Sequence, residues 1–241
     1  SLNLAAGLAR IGRRVLLIDL DPQGNATMGS GIDKRGLDCG TYDVLLGAPA
    51  GNAVLPSPGG GYDVMGANRD LAGAEIELVA LDQREHRLRL GLGALEQRYD
   101  VALIDCPPSL SLLTLNGLVA AQGVIVPMQC EYFALEGLTD LVNTIKQVHS
   151  RLNPTLEILG ILRVMFDPRL TLQAQVSDQL KQHFADKVFD TIVPRNVRLA
   201  EAPSHGQPGL TFDAQSKGAL AFAQFAREVD ERIRGRPGQR R

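Results

Sequence analysis

The chain has 241 residues, 44% hydrophobic and 22% charged, and its 25 Lys and Arg nearly balance 27 Asp and Glu for a formal net charge of −2. That is enough material for one sizeable α/β domain with a buried core, and the charge excludes a globally basic nucleic-acid binder, so any DNA-binding surface must be local. No window approaches the roughly 18 consecutive apolar residues of a membrane span. Ser1-Leu2-Asn3-Leu4 also lacks the basic start of a secretory signal. Cys39, Cys106 and Cys130 are odd in number, far apart and outside any C-x-x-C pattern, which fits a reducing cytoplasm.

In chain order, Leu2, Ala5, Ala6, Leu8, Ala9 and Ile11 recur at helical spacing, and Gly12 stops that helix. The run 15–18 (Val-Leu-Leu-Ile) has the continuous apolar character of a parallel strand covered on both faces. It ends in Asp19-Leu20-Asp21-Pro22-Gln23-Gly24-Asn25, a loop forced by polar, Pro and Gly residues. Residues 48–61 read as a Gly/Pro-rich surface loop. Further strands are predicted at 101–104, 123–127, 156–166 and 188–193, alternating with helices near 70–97, 131–151, 171–185 and 215–234. The alternation predicts an α/β fold: a mostly parallel sheet with helices on both faces, as one domain over 1–234 followed by a flexible basic tail, 235–241.

Ligands of open α/β sheets bind at the carboxyl ends of the strands, and two apolar strands deliver Asp19 and Asp105 to that edge, with Asp21 close behind. A carboxylate after an apolar run is costly to bury without a partner, and a hydrated divalent cation is one such partner. A helix cap, or for Asp21 an ordinary turn before Pro22, fits the same residues.

The segment 15–27, ending Asp19-Leu20-Asp21-Pro22-Gln23-Gly24-Asn25-Ala26-Thr27, resembles the A′ motif of ParA/Soj partition ATPases. Leu103-Ile104-Asp105-Cys106-Pro107-Pro108-Ser109 resembles their Walker B and switch II segment. Residues 131–137, the stretch 194–204 opening Pro194-Arg195-Asn196, and Ser216-Lys217-Gly218-Ala219 also fit, in order along nearly the whole chain. The resemblance implies ATP and Mg²⁺ as cofactors, with Asp21 positioning the attacking water, Asp105 holding Mg²⁺ and Asp19 orienting the groups around them. It places Pro194 and Asn196 beside the adenine. It also implies an ATP-dependent homodimer that binds DNA non-specifically through Arg195, Arg198 and Lys217, and a ParB-like centromere-binding partner that stimulates hydrolysis in the cytoplasm, on the nucleoid.

The family's K-G-G-V-G-K-T-T phosphate loop, and any G-x-x-x-x-G-K-[ST], is absent from these residues; Ser1-Leu2-Asn3-Leu4 resembles the segment that follows it. The expectation is a sheet without its first strand, with open edges beside the gap, poor solubility and weak or no ATP binding by residues 1–241 alone. The other readings are a truncated, non-hydrolysing binding copy and a membrane-associated MinD-like ATPase. The second needs an amphipathic C-terminal helix. The last helix instead has the stripe Ala221, Phe222, Phe225, Ala226, Val229 and Ile233 of core docking, followed by Asp230-Glu231 and a Gly-Arg-Pro-Gly stop. An iron–sulfur reductase of the same superfamily, bridged by Cys106 and Cys130, is disfavoured because such reductases place their ligand cysteines elsewhere.

Overall fold

The structure, a computed structural model, describes residues 1–235; the tail expected at 235–241 lies outside them apart from Gly235. The first half runs α1 (Leu2–Arg10), β1 (Val15–Asp19), α2 (Asn25–Gly29), α3 (Thr41–Leu46), β2 (Val54–Pro56), β3 (Asp63–Met65), α4 (Leu71–Leu78), α5 (Arg87–Leu92) and β4 (Val101–Asp105). The second half runs α6 (Leu112–Ala120), β5 (Gly123–Met128), α7 (Ala134–Arg151), β6 (Glu157–Phe166), α8 (Thr171–Phe184), β7 (Val188–Pro194), α9 (Val197–Glu201), α10 (Gly209–Phe212) and α11 (Lys217–Arg234).

The strands form two ladders. One has the order β2-β3-β1-β4, parallel except for the antiparallel β2–β3 pair; the other, β5-β6-β7, is wholly parallel. All five residues of β1 are buried, and its alternating side chains serve two apolar layers. Val15 and Leu17 pack with α1 and α11, through Leu8, Phe225 and Val229 among others. Leu16 and Ile18 pack on the opposite face with Val44 and Leu45 of α3, Leu71 and Leu78 of α4, and Leu88 of α5. That is why the run lacks alternation: both faces are core.

Among the described residues β4 and β5 each pair on one side only. Val101, Leu103 and Ile104 of β4, and Val124 and Ile125 of β5, accordingly remain half-exposed despite their apolar character.

The chain-order reading omits the short helices α2, α3, α9 and α10, and three further features depart from it. The helix expected over 70–97 is broken between Leu78 and Arg87. A residue from another helix braces that break, which includes Gln83 at φ 54°: Asn116 of α6 donates from Nδ2 to the Arg84 carbonyl at 2.8 Å and accepts the Leu88 N–H at 3.1 Å, satisfying backbone that an unbroken helix would have satisfied itself. The loop 48–61 contains the short strand β2, and β3 follows it, a three-residue strand too brief to show a period. α6 is an additional helix, apolar nearly all round, which hides its helical periodicity. At the C-terminus α11 buries Phe225, Ala226 and Val229 in the core beside α1, the docking its stripe predicts. No helix among the described residues is long and apolar enough to cross a membrane.

Candidate active site

β1 and β4 lie side by side in register, with Asp19 opposite Asp105, and the Leu20 N–H donates to the Asp105 carbonyl at 2.8 Å. The two carboxylates that end apolar runs in the sequence therefore end on neighbouring strands at one sheet edge.

Asp19 is fully buried. Its Oδ1 accepts the Asp21 N–H at 3.1 Å, while Oδ2 accepts both the Thr27 N–H at 2.8 Å and the Thr27 hydroxyl at 2.7 Å. Burial pushes its carboxyl up to about 6, with the charge of Asp105 adding to the rise and the Thr27 and Asp21 donors opposing it. The donors to the Asp19 carboxylate, Asp21 and Thr27, thus belong to the segment it precedes.

Asp21 is half-buried. Its Oδ1 accepts the Gln23 N–H at 2.9 Å and its carbonyl accepts the Gly24 N–H at 2.8 Å, a tight turn that leaves Oδ2 without a hydrogen bond among the described residues. One oxygen shapes the loop, and the other has no hydrogen-bond partner among the described residues. Gly24 closes the turn in the left-handed region, at φ 60° and ψ 36°, and occupies the N-cap position of α2. A Cβ there would lie 2.5 Å from the Ala67 carbonyl oxygen, so this position admits only glycine without movement.

Asp105 is half-buried, and the Ser1 hydroxyl donates to its Oδ1. Ser1 is the N-cap residue of α1, and its carbonyl accepts the Ala5 N–H at 3.0 Å. The amino end of α1 therefore sits against the Asp105 carboxylate. Carboxylate and hydroxyl oxygens are hard ligands of the kind Mg²⁺ takes. Among the described residues no group of three or more His, Cys, Asp or Glu side chains is placed to hold an ion by itself. The donor set suits a cation that keeps several waters and shares its shell with a ligand.

The segment expected beside the adenine lies at the end of β7, in the second ladder. Pro194 is half-buried, and Asn196 caps α9 by accepting the Leu199 N–H at 3.2 Å on Oδ1. That cap engages one lone pair of the Asn196 oxygen and leaves its amide N–H groups as donors. Of the basic residues, Arg195 and Lys217 are exposed, and neither has an ion pair among the described residues. Arg198 differs: its guanidinium pairs with Glu201 at 3.0 Å and Asp213 at 3.5 Å.

The sequence reading passed over Thr27. It stood in the quoted motif, but nothing in local spacing shows that a residue eight positions after Asp19 returns to it.

The fold is that of the P-loop nucleoside triphosphatases. Residues 1–158 match a family described as an AAA domain. The chain is 50% identical over 230 residues to the sporulation initiation inhibitor protein Soj of Bacillus subtilis, covering 95% of this chain and 91% of that one. It is 48% identical over 239 residues to the chromosome partitioning protein ParA of Caulobacter vibrioides, covering 98% and 90%. Among solved structures, a cobyrinic acid a,c-diamide synthase from Mycobacterium smegmatis with bound ADP and magnesium superposes with a TM-score of 0.84 at 37% identity, covering 97% of this chain and 88% of that one. The chain belongs to the ParA/Soj family of chromosome-partitioning ATPases.

Proposed function

We propose that the gene product containing this chain hydrolyses ATP with Mg²⁺, forms an ATP-dependent homodimer on non-specific DNA, and is stimulated by a ParB-like centromere-binding partner in the cytoplasm. The observation that carries this reading is the in-register pair Asp19–Asp105 beside the Asp21 turn, in a chain about half identical to partition ATPases.

Phosphoryl transfer needs alignment and charge neutralisation more than covalent help from the protein, and Mg²⁺ supplies the neutralisation when bound. Asp105 is the residue that would hold that ion. Asp21 turns its unengaged Oδ2 toward the attacking water. Asp19 keeps the turn in shape. Pro194 and the Asn196 amide face the base. Arg195 and Lys217 contribute sequence-independent contacts to phosphate, and Arg198, committed to Glu201 and Asp213, contributes less. The exposed Tyr132 and Phe133, stacked edge to face beside an apolar groove of about 920 Å³, favour a protein–protein contact at this end of the sheet.

The test uses the full gene product, because no G-x-x-x-x-G-K-[ST] lies within the 241 residues. Asp21→Ala should abolish hydrolysis while nucleotide binding survives; unchanged turnover would remove Asp21 from the mechanism. Arg195→Ala and Lys217→Ala should each weaken DNA retention in a low-salt gel shift and reduce its salt slope, more than Arg198→Ala does. Equal losses for all three would refute that ranking. Wild-type protein that neither hydrolyses ATP nor retains DNA would overturn the whole proposal.

A further inference from the structure

We propose that Thr27 is a positioning residue for hydrolysis, its hydroxyl clasping the Asp21 turn between β1 and the end of β3. The inference rests on the reading of Asp21 above and adds a residue to it.

Thr27 is wholly buried in the short helix α2. Threonine in a helix commonly returns its hydroxyl to a carbonyl one turn back or leaves it to solvent. Here the hydroxyl does neither. It donates to Asp19 Oδ2 at 2.7 Å and accepts the Ala67 N–H at 2.8 Å. The Thr27 N–H donates to the same Oδ2 at 2.8 Å. Asp19 Oδ1, fixed in the same plane, takes the Asp21 N–H at 3.1 Å. One hydroxyl therefore joins three pieces of backbone: the strand end at Asp19, the first turn of α2, and the residues after β3. The Asp21 turn is strung between the first two and covers the third, since Gly24 approaches the Ala67 carbonyl so closely that no Cβ fits.

The contact depends on the hydroxyl, and the methyl group adds packing to it. A Cβ added at Gly66 would lie 3.0 Å from Thr27 Cγ2, so the methyl group is packed as well as the oxygen. Five residues of helix make few hydrogen bonds of their own and gain their stability from such contacts. Without the hydroxyl, the Ala67 N–H loses its acceptor and Asp19 loses one of three donors. The carboxylate can then rotate, and the Asp21 amide it anchors rotates with it. Asp21 itself touches neither Thr27 nor Ala67 by hydrogen bond. Thr27 acts through Asp19.

Thr27→Val keeps the shape and removes the hydroxyl; Thr27→Ser keeps the hydroxyl and removes the methyl. In the full gene product, Thr27→Val should lower kcat by on the order of tenfold or more with KM for ATP little changed, because misplacing a water-directing group affects the transition state more than ground-state binding. Thr27→Ser should recover most of the rate. In nucleotide-free protein, amide exchange at Asp21, Gln23 and Gly24 should accelerate in Thr27→Val and stay near wild type in Thr27→Ser, with strands β6 and β7 unaffected. If Thr27→Val does not fold, Thr27→Cys gives the same comparison, since its thiol is a weak donor in similar volume. Val and Ser variants that lose rate equally, or a Val variant with wild-type kcat and wild-type exchange in the turn, would overturn the proposal. Absence of hydrolysis in the wild type would instead overturn the reading of the site, while the exchange result would still judge Thr27.

Discussion

Gly24→Ala tests whether the Asp21 turn is as tightly built as its geometry implies. The residue sits at φ 60° and ψ 36°, and its missing side chain would meet the Ala67 carbonyl oxygen at 2.5 Å and Lys34 Cδ at 2.9 Å. Placing alanine in the left-handed region costs about 1 kcal/mol. The clash adds about 2 kcal/mol, because Ala67 is itself buried and its backbone is held by Thr27, so only the lysine can move aside cheaply. A loss of about 3 kcal/mol should lower the melting temperature by roughly 6–12 °C in a domain of this size. The assay is urea or thermal unfolding with an unchanged denaturant slope, together with amide exchange over residues 21–27. Should the strain be relieved by local opening of the turn, the exchange will show it and the global melt will fall less. A variant within about 0.5 kcal/mol of wild type by both measures would refute the reasoning, since that is the range of substitutions that touch nothing special.

Two further outcomes follow from the ion pairs. Asp230 of α11, nearly buried, receives Arg13 Nε at 2.7 Å and its second nitrogen at 3.1 Å, and also pairs with Arg234 at 2.8 Å. Arg13→Ala and Asp230→Ala should each destabilise, by about 1 and about 2 kcal/mol, below the range for a fully buried pair because both arginines reach solvent. A double-mutant cycle by urea unfolding should return a coupling near 1 kcal/mol; additive losses would mean the pair does not lock α11 to the end of α1. Asp100 accepts the Arg14 N–H at 2.8 Å and its guanidinium at 2.7 Å, which holds the carboxyl down to about 2. A depressed carboxyl gives stability that is complete above its unfolded value of 3.8 and lost as pH falls through about 2. Screening at this exposed site limits the contribution to about 1 kcal/mol. Asp100→Asn should therefore lower stability at neutral pH and flatten the wild-type loss between pH 4 and 2; a parallel pH profile would count against the assignment.

The sequence by itself determined the sheet, its covering on both faces and the acidic edge. Continuous apolar runs such as Val15–Ile18 are stable only between two apolar layers, and an Asp at the carboxyl end of such a run emerges at the edge of the sheet. The docking of α11 was legible for the same reason, because its stripe of Phe225, Ala226 and Val229 repeats at the helical period. Tertiary structure alone decided what depends on residues distant in the chain. Asn116, nearly thirty positions after Leu88, braces the break in the helix expected over 70–97. Glu201 and Asp213 separate Arg198 from the exposed Arg195 and Lys217, a distinction that composition cannot make among three basic residues. Asp19 and Asp105 are 86 residues apart, yet strand register makes them neighbours. Thr27 holds its place through Asp19 and the Ala67 amide, forty residues on. Periodicity reports which face of an element is buried, because burial recurs with the turn of the backbone. A hydrogen bond between loops has no period, and only the folded chain shows it.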